Sequence, residues 1–127
     1  MKLARLEDLE SFRQARELTK AVYGAIDESP RWQQDVWLCG QMQRAAGAVM
    51  ANIAEGLGRR SDKEISQFLF IAMSSAAELQ SHLYTAVDQG YLSKPSFDLI
   101  YGHAEKTSKI ISALIACLGT TQTGQTG

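Results

Sequence analysis

Apolar residues recur along this chain at steps of three and four, the spacing that places side chains on one face of a helix. The pattern is densest from Arg44 to Leu79. Ala45, Ala46, Val49, Met50, Ile53 and Ala54 form one arm of it, and Ile65, Phe68, Leu69, Ala72, Ala76 and Leu79 form the other. Gly56 and Gly58 interrupt the first arm, as glycine does at helix ends. Ser61-Asp62-Lys63-Glu64 then reads as a capping box that opens a new helix. The stretch predicts an antiparallel helical hairpin with small residues along its seam.

The same reading extends to both ends. A first helix is predicted from Leu6 to Ile26, with Leu9, Phe12, Ala15, Leu18, Val22, Ala25 and Ile26 as its stripe and Glu7-Asp8 at its positive end. Asp27-Glu28-Ser29-Pro30 ends it, because the residue before proline is driven out of helical angles. Arg31 to Gln34 reads as a connector, followed by a second helix from Gln34 to Glu55 and a third from Asp62 to Gln89. Gly90 stops the third, Tyr91 and Leu92 fold back, and Ser93 caps a fourth helix with Pro95 in its first turn. Phe97, Ile100, Tyr101, Ala104, Thr107, Ile111, Leu114, Ile115 and Leu118 give that helix its apolar face. No strand-like alternation occurs. Four amphipathic helices with short turns predict an all-α, up-down-up-down antiparallel four-helix bundle over residues 1–118. The apolar-free segment 119–127 is expected to be a flexible tail.

Composition narrows this picture little. The chain has 127 residues, 45% hydrophobic and 21% charged, as in an ordinary single globular domain. A net charge of -1 and a pI near 6.1 offer no global electrostatic case for nucleic acid. No apolar run is long enough to span a bilayer, and residues from Lys2 onward lack a signal-peptide apolar core, so a cytoplasmic location without membrane contact is expected. Cys39 and Cys117 both lie in apolar helical patterns and are expected to be buried, reduced thiols.

Several polar constellations are candidates for chemistry. Asn52, Glu55, Ser74, Ser75 and Glu78 lie near the apolar seam of the second and third helices. They can be read as a ligand or metal site inside the bundle, as a structural hydrogen-bonded network, or as a polar face at a subunit contact. A di-iron bundle requires Glu-x-x-His pairs, and neither His82 nor His103 has an acidic residue three places before it. Both are read as surface or half-buried helical residues, and no metal or cofactor is expected. Nor is Cys39 near a histidine in sequence, as a nucleophile would need. The turn Gly56 to Ser61 lacks the strand and the Gly-Lys-Ser/Thr end of a nucleotide loop. Arg59, Arg60 and Lys63 beside a helix N-terminus could nevertheless hold a phosphate, aided by Arg44 if the fold brings it near. The plainer reading is a solvated turn with one arginine paired to Glu55 or Asp62. Trp32, Trp37 and Tyr91 read as exposed residues near one bundle end, open to a contact with another molecule or packed against neighbouring loops, and Val36, Leu38, Met42 and Val49 as more apolar surface than one core needs.

Arg44-Ala45-Ala46, Asn52-Ile53-Ala54-Glu55-Gly56 and Gly58-Arg59 resemble the small proteins encoded in intervening sequences of bacterial 23S ribosomal RNA genes. The related accessory variability proteins of diversity-generating retroelements share the pattern. Ser61, Glu64, Phe68-Leu69, Ala72 to Ser75, Glu78-Leu79 and Gly90-Tyr91 extend the likeness over about Leu9 to Leu118. The resemblance implies a four-helix bundle assembled as a ring-shaped homopentamer, with no enzymatic activity. It also implies nucleic acid, or a protein such as a reverse transcriptase, as partners. Two functions follow as expectations. One is a self-assembling adaptor for another macromolecule; the other is RNA or DNA binding through Arg44, Arg59, Arg60 and Lys63, repeated around the ring.

Overall fold

Side-chain chemistry at the helix ends fixes where each element starts. In the computed structural model, residues 5–119 are described with their side chains and residues 120–126 by their backbone alone. A 3-10 turn at Leu6–Asp8 leads into α1 (Glu10–Asp27), α2 (Pro30–Gln34), α3 (Val36–Leu57), α4 (Asp62–Asp88) and α5 (Lys94–Thr126). The expected flexible tail, 119–127, lies almost wholly outside the residues described in full.

The predicted breaks at Ser29-Pro30, Gly56 to Arg60 and Gly90 to Ser93 are all present, with local differences. The first helix divides at Leu9, which is extended and carries no side-chain cap. Arg13 holds the two parts together by donating to the carbonyls of Glu7 and Asp8, at 3.2 and 2.9 Å. The Arg31 to Gln34 connector is itself helical: Ser29 Oγ accepts from the Trp32 amide at 3.3 Å, and Pro30 takes the first-turn position where its missing N–H costs nothing. Asp35, not Gln34, opens the next helix, because its carboxylate accepts from the Leu38 amide at 3.1 Å. Ser61 caps α4 as expected; its hydroxyl accepts from the Glu64 amide at 3.1 Å and donates to the Glu64 carboxylate at 3.0 Å. Gly90, at φ +76°, closes α4 with the left-handed residue such ends require. The Tyr91 amide reaches back to Ala86 and the Gly90 amide to Val87, the paired bonds of a Schellman end.

Gly56 corrects the sequence reading. It does not stop α3 but lies inside its last turn, buried against α4. A Cβ there would sit 3.3 Å from Phe68 Cβ and 3.4 Å from the Ile65 carbonyl, so the glycine is what lets the two helices approach.

The long helices pack cyclically, α1 on α3, α3 on α4, α4 on α5 and α5 back on α1, which is the up-down-up-down antiparallel bundle. The buried residues form two clusters along its axis. One lies at the α2 end and includes Leu18, Val22, Trp32, Leu38, Met42, Leu79, Leu83, Phe97 and Ile100. The other lies at the turn between α3 and α4 and includes Val49, Ile53, Ile65, Leu69, Ala72, Ile111 and Leu118. The fully buried Thr107 hydroxyl is satisfied by the His103 carbonyl at 2.7 Å, one turn back in its own helix.

Two expectations about apolar residues are corrected here. Trp32 is 0% exposed, because α2 turns it inward beneath Tyr91, whose ring stacks on it at 6.2 Å. Leu38, Met42 and Val49 are likewise core residues, so of the four read as surplus apolar surface only Val36 is exposed. Tyr91 is half-buried; its hydroxyl donates to Asp35 at 3.0 Å, a bond that raises the tyrosine above its ordinary pKa by favouring the neutral phenol.

Candidate interaction faces

The four basic residues singled out in the sequence do not come together. Arg59 is engaged twice: it pairs with Glu55 one turn earlier at 2.9 Å, and its guanidinium lies over the Phe68 ring at 4.6 Å. Arg60 and Lys63 are exposed at the turn. Arg44 lies fourteen positions before Gly58 on the same α3 rod, about 21 Å away at a helical rise of about 1.5 Å per residue. There it bonds Gln41 on its own helix and meets Glu78 of α4 at 3.3 Å. A shallow groove of about 490 Å³ beside the turn is lined by Ala51, Ala54, Glu55, Gly58 and Arg59, whose only charges are the pair already matched.

Nor do the seam polar residues form one network. Asn52 donates to the Ala48 carbonyl at 2.8 Å and Ser74 to the Phe70 carbonyl at 3.2 Å, each one turn back in its own helix. Ser75 is buried. Glu55 serves Arg59, whereas Glu78 faces Arg44 and His82. No group of three or more His, Cys, Asp or Glu residues is placed to hold a metal ion among the described residues, and none of their helices is long and apolar enough to cross a membrane. Cys39 is buried, donates to the Trp32 carbonyl at 3.0 Å, and is pushed to a higher pKa by that burial and by Asp35. Cys117, expected to be buried, is exposed on α5.

What the structure does bring together is a stripe that runs along the outer side of the α3–α4 pair. Trp37, Gln41, Arg44, Ala48, Asn52 and Glu55 follow each other on α3 at three- and four-residue steps, with Arg59 one step beyond its end; Ile71, Glu78 and His82 lie on the facing side of α4, with buried Ser75 beneath them. Contacts join the two helices along this stripe. The Trp37 ring meets His82 edge-on at 5.8 Å, Arg44 meets Glu78, and Arg59 covers Phe68. Trp37 is 65% exposed, and Phe70 and Ile71 are also open to solvent.

Charge sets this face apart. From Val36 to Ala54 the only charged residue is Arg44, and from Ile65 to Val87 the only one is Glu78. Those two charges pair with each other. α1, by contrast, carries Glu10, Arg13, Arg16, Glu17, Lys20 and Asp27. The α3–α4 pair is thus depleted of charge, with aromatic and arginine residues left in place. The signal was present in the sequence as an absence of charge. A search for charge clusters passes over it.

Comparison with known proteins agrees with the fold. The family described as 23S rRNA-intervening sequence protein matches residues 7–113. A solved structure from Bacteroides thetaiotaomicron VPI-5482, a protein of unknown function from the S23 ribosomal protein family, superimposes with a TM-score of 0.75 at 18% identity. The match covers 84% of this chain and 95% of that one. No curated protein matches the chain.

Proposed function

We propose, starting from the fact that this chain belongs to the 23S rRNA-intervening sequence protein family, that it is a non-enzymatic bundle assembling with copies of itself. The α3–α4 face is the contact between protomers, and the assembly acts as an adaptor for a macromolecular partner. The observation that carries the reading is the charge-poor face with Trp37, Phe70 and Ile71 open to solvent. Apolar surface of this kind gains free energy when covered, and exposed aromatic side chains are the usual anchors of such contacts. Five copies is the number that the family resemblance implies. Nucleic acid or a reverse transcriptase as partner has the same source. Direct RNA or DNA binding is supported less well, since Arg59 and Arg44 are paired and, among the described residues, only Arg60 and Lys63 of the four candidates stand exposed without a charged partner.

Sedimentation equilibrium tests the reading. A species at a multiple of the 14.0 kDa protomer mass is expected, five-fold for the ring, and a 14.0 kDa monomer at micromolar concentration overturns it. Ile71→Arg, which puts an unmatched charge on the face, is expected to weaken assembly by about a hundredfold with unchanged helicity. Fluorescence anisotropy with structured RNA and duplex DNA separates the second reading, because binding through phosphates falls as salt rises.

A further inference from the structure

The five residues of α2 are set off from the helices on either side. Ser29 (φ -124°, ψ 96°) and Asp35 (φ -85°, ψ 76°) flank it with non-helical backbone. So short a helix has no stability of its own, and contacts must hold it in place. On its inner side Trp32 is buried in the core, and the Cys39 thiol of α3 donates to the Trp32 carbonyl at 3.0 Å. On its outer side Tyr91, from the turn between α4 and α5, closes over it. The Tyr91 ring stacks on Trp32 at 6.2 Å and lies 5.4 Å from the Arg31 guanidinium, and its hydroxyl donates to Asp35 Oδ2 at 3.0 Å. Two features weaken this closure. The Trp32 Nε1–H is buried without a hydrogen-bond partner, a cost that exists only while α2 is down, because water meets the donor once it is exposed. The junction of α2 with Tyr91 is also a polar cleft of about 420 Å³, lined by Arg31, Gln34, Asp35 and Tyr91.

We propose that α2 is a strap that swings out about Ser29 and Asp35 while the four long helices stay packed, and that Tyr91 is its latch. In the closed strap, burial of the indole ring is set against the unmet donor, and the stack and hydroxyl of Tyr91 tip the balance toward closure. The hydroxyl acts on the hinge itself, since the carboxylate that accepts from it also caps α3 through the Leu38 amide. Opening turns Trp32 outward and uncovers the Cys39 thiol behind it. Cys39 therefore reports the motion. Under the closed strap, burial and the nearby Asp35 hold the thiol above its ordinary pKa, and little reactive thiolate forms.

Alkylation of the folded protein by iodoacetamide, followed peptide by peptide with mass spectrometry, tests this, with exposed Cys117 as the internal control for the reagent. Cys39 is expected to react slowly, at a rate nearly flat across low urea concentrations, because a local opening exposes little surface. Tyr91→Phe keeps the ring and loses the bond to Asp35, and it is expected to speed Cys39 labelling about tenfold. Leu69→Ala, in the other core cluster, lowers the stability of the whole bundle and is expected to leave the Cys39 rate unchanged. Ile53→Val takes its place if circular dichroism shows that Leu69→Ala does not fold. A Cys39 rate that climbs steeply with urea and rises in Leu69→Ala or Ile53→Val overturns the strap, since the thiol is then reached only by unfolding of the bundle. An unchanged rate in Tyr91→Phe overturns the latch.

Discussion

Replacing Trp32 by alanine is expected to cost about 3–5 kcal/mol of folding stability, measured by urea unfolding followed by circular dichroism. The side chain is fully buried and belongs to the core cluster at the α2 end, with Leu18, Leu38, Met42 and Leu83 among its members. Tyr91 closes over it, and the Cys39 thiol bonds its carbonyl, so truncation leaves a cavity and loosens the piece that joins α1 to α3. The indole Nε1–H is buried without a partner. Trp32→Phe removes that unmet donor with part of the volume, so it is expected to cost clearly less than alanine. Trp37→Ala, five positions on, is expected to change protomer stability by no more than about 0.5 kcal/mol, because that ring is mostly in solvent.

Gly56→Leu is expected to destabilise by about 3 kcal/mol, at the upper end of what overpacking costs. A Cβ alone already crowds Phe68 and the Ile65 carbonyl, and the remaining atoms must force α4 away from α3 along the seam. Gly47 supplies the contrast in the same helix. Nothing lies within 4 Å of a Cβ built there, so Gly47→Ala is expected to raise stability by about 0.5–1 kcal/mol through reduced backbone freedom in the unfolded chain. The two variants measured side by side separate the packing role of Gly56 from the general effect of glycine in a helix.

The helices were legible because periodicity and capping are local. Ser61 with Glu64, Gly90 and Ser93 each mark an end within a few residues of itself, and the structure uses each of them there. Other features depend on a neighbour that the sequence does not display. Gly56 reads as a helix stop until α4 is placed beside it. Trp32 and Trp37 look alike as exposed aromatics, yet α2 is too short for any periodicity to orient it, and its angle is set by the Ser29 and Asp35 caps and by Gln33, whose amide donates to the Ile26 and Asp27 carbonyls. The candidate site divides the same way. Arg59, Arg60 and Lys63 form a cluster in sequence, but in space Glu55 and Phe68 occupy the first of them, and Arg44 answers to Glu78. The α3–α4 face was readable only as two long stretches with almost no charge, and their meaning waits on knowing that the stretches lie side by side.

The division of the core into two clusters bears on how the bundle opens. Backbone hydrogen bonds within a helix are local, so a helix transmits little of the packing at one end to the other. The half with Trp32 and Phe97 has buried aromatic rings and the tyrosine lid. The half around Ile53 and Leu69 is packed with aliphatic residues and ends at a turn of exposed basic residues. Amide exchange in the second half can therefore proceed by excursions that leave the first half shut. The last turns of α3 and the first of α4 would part there, while the Trp37 and His82 end of the same two helices keeps its shape.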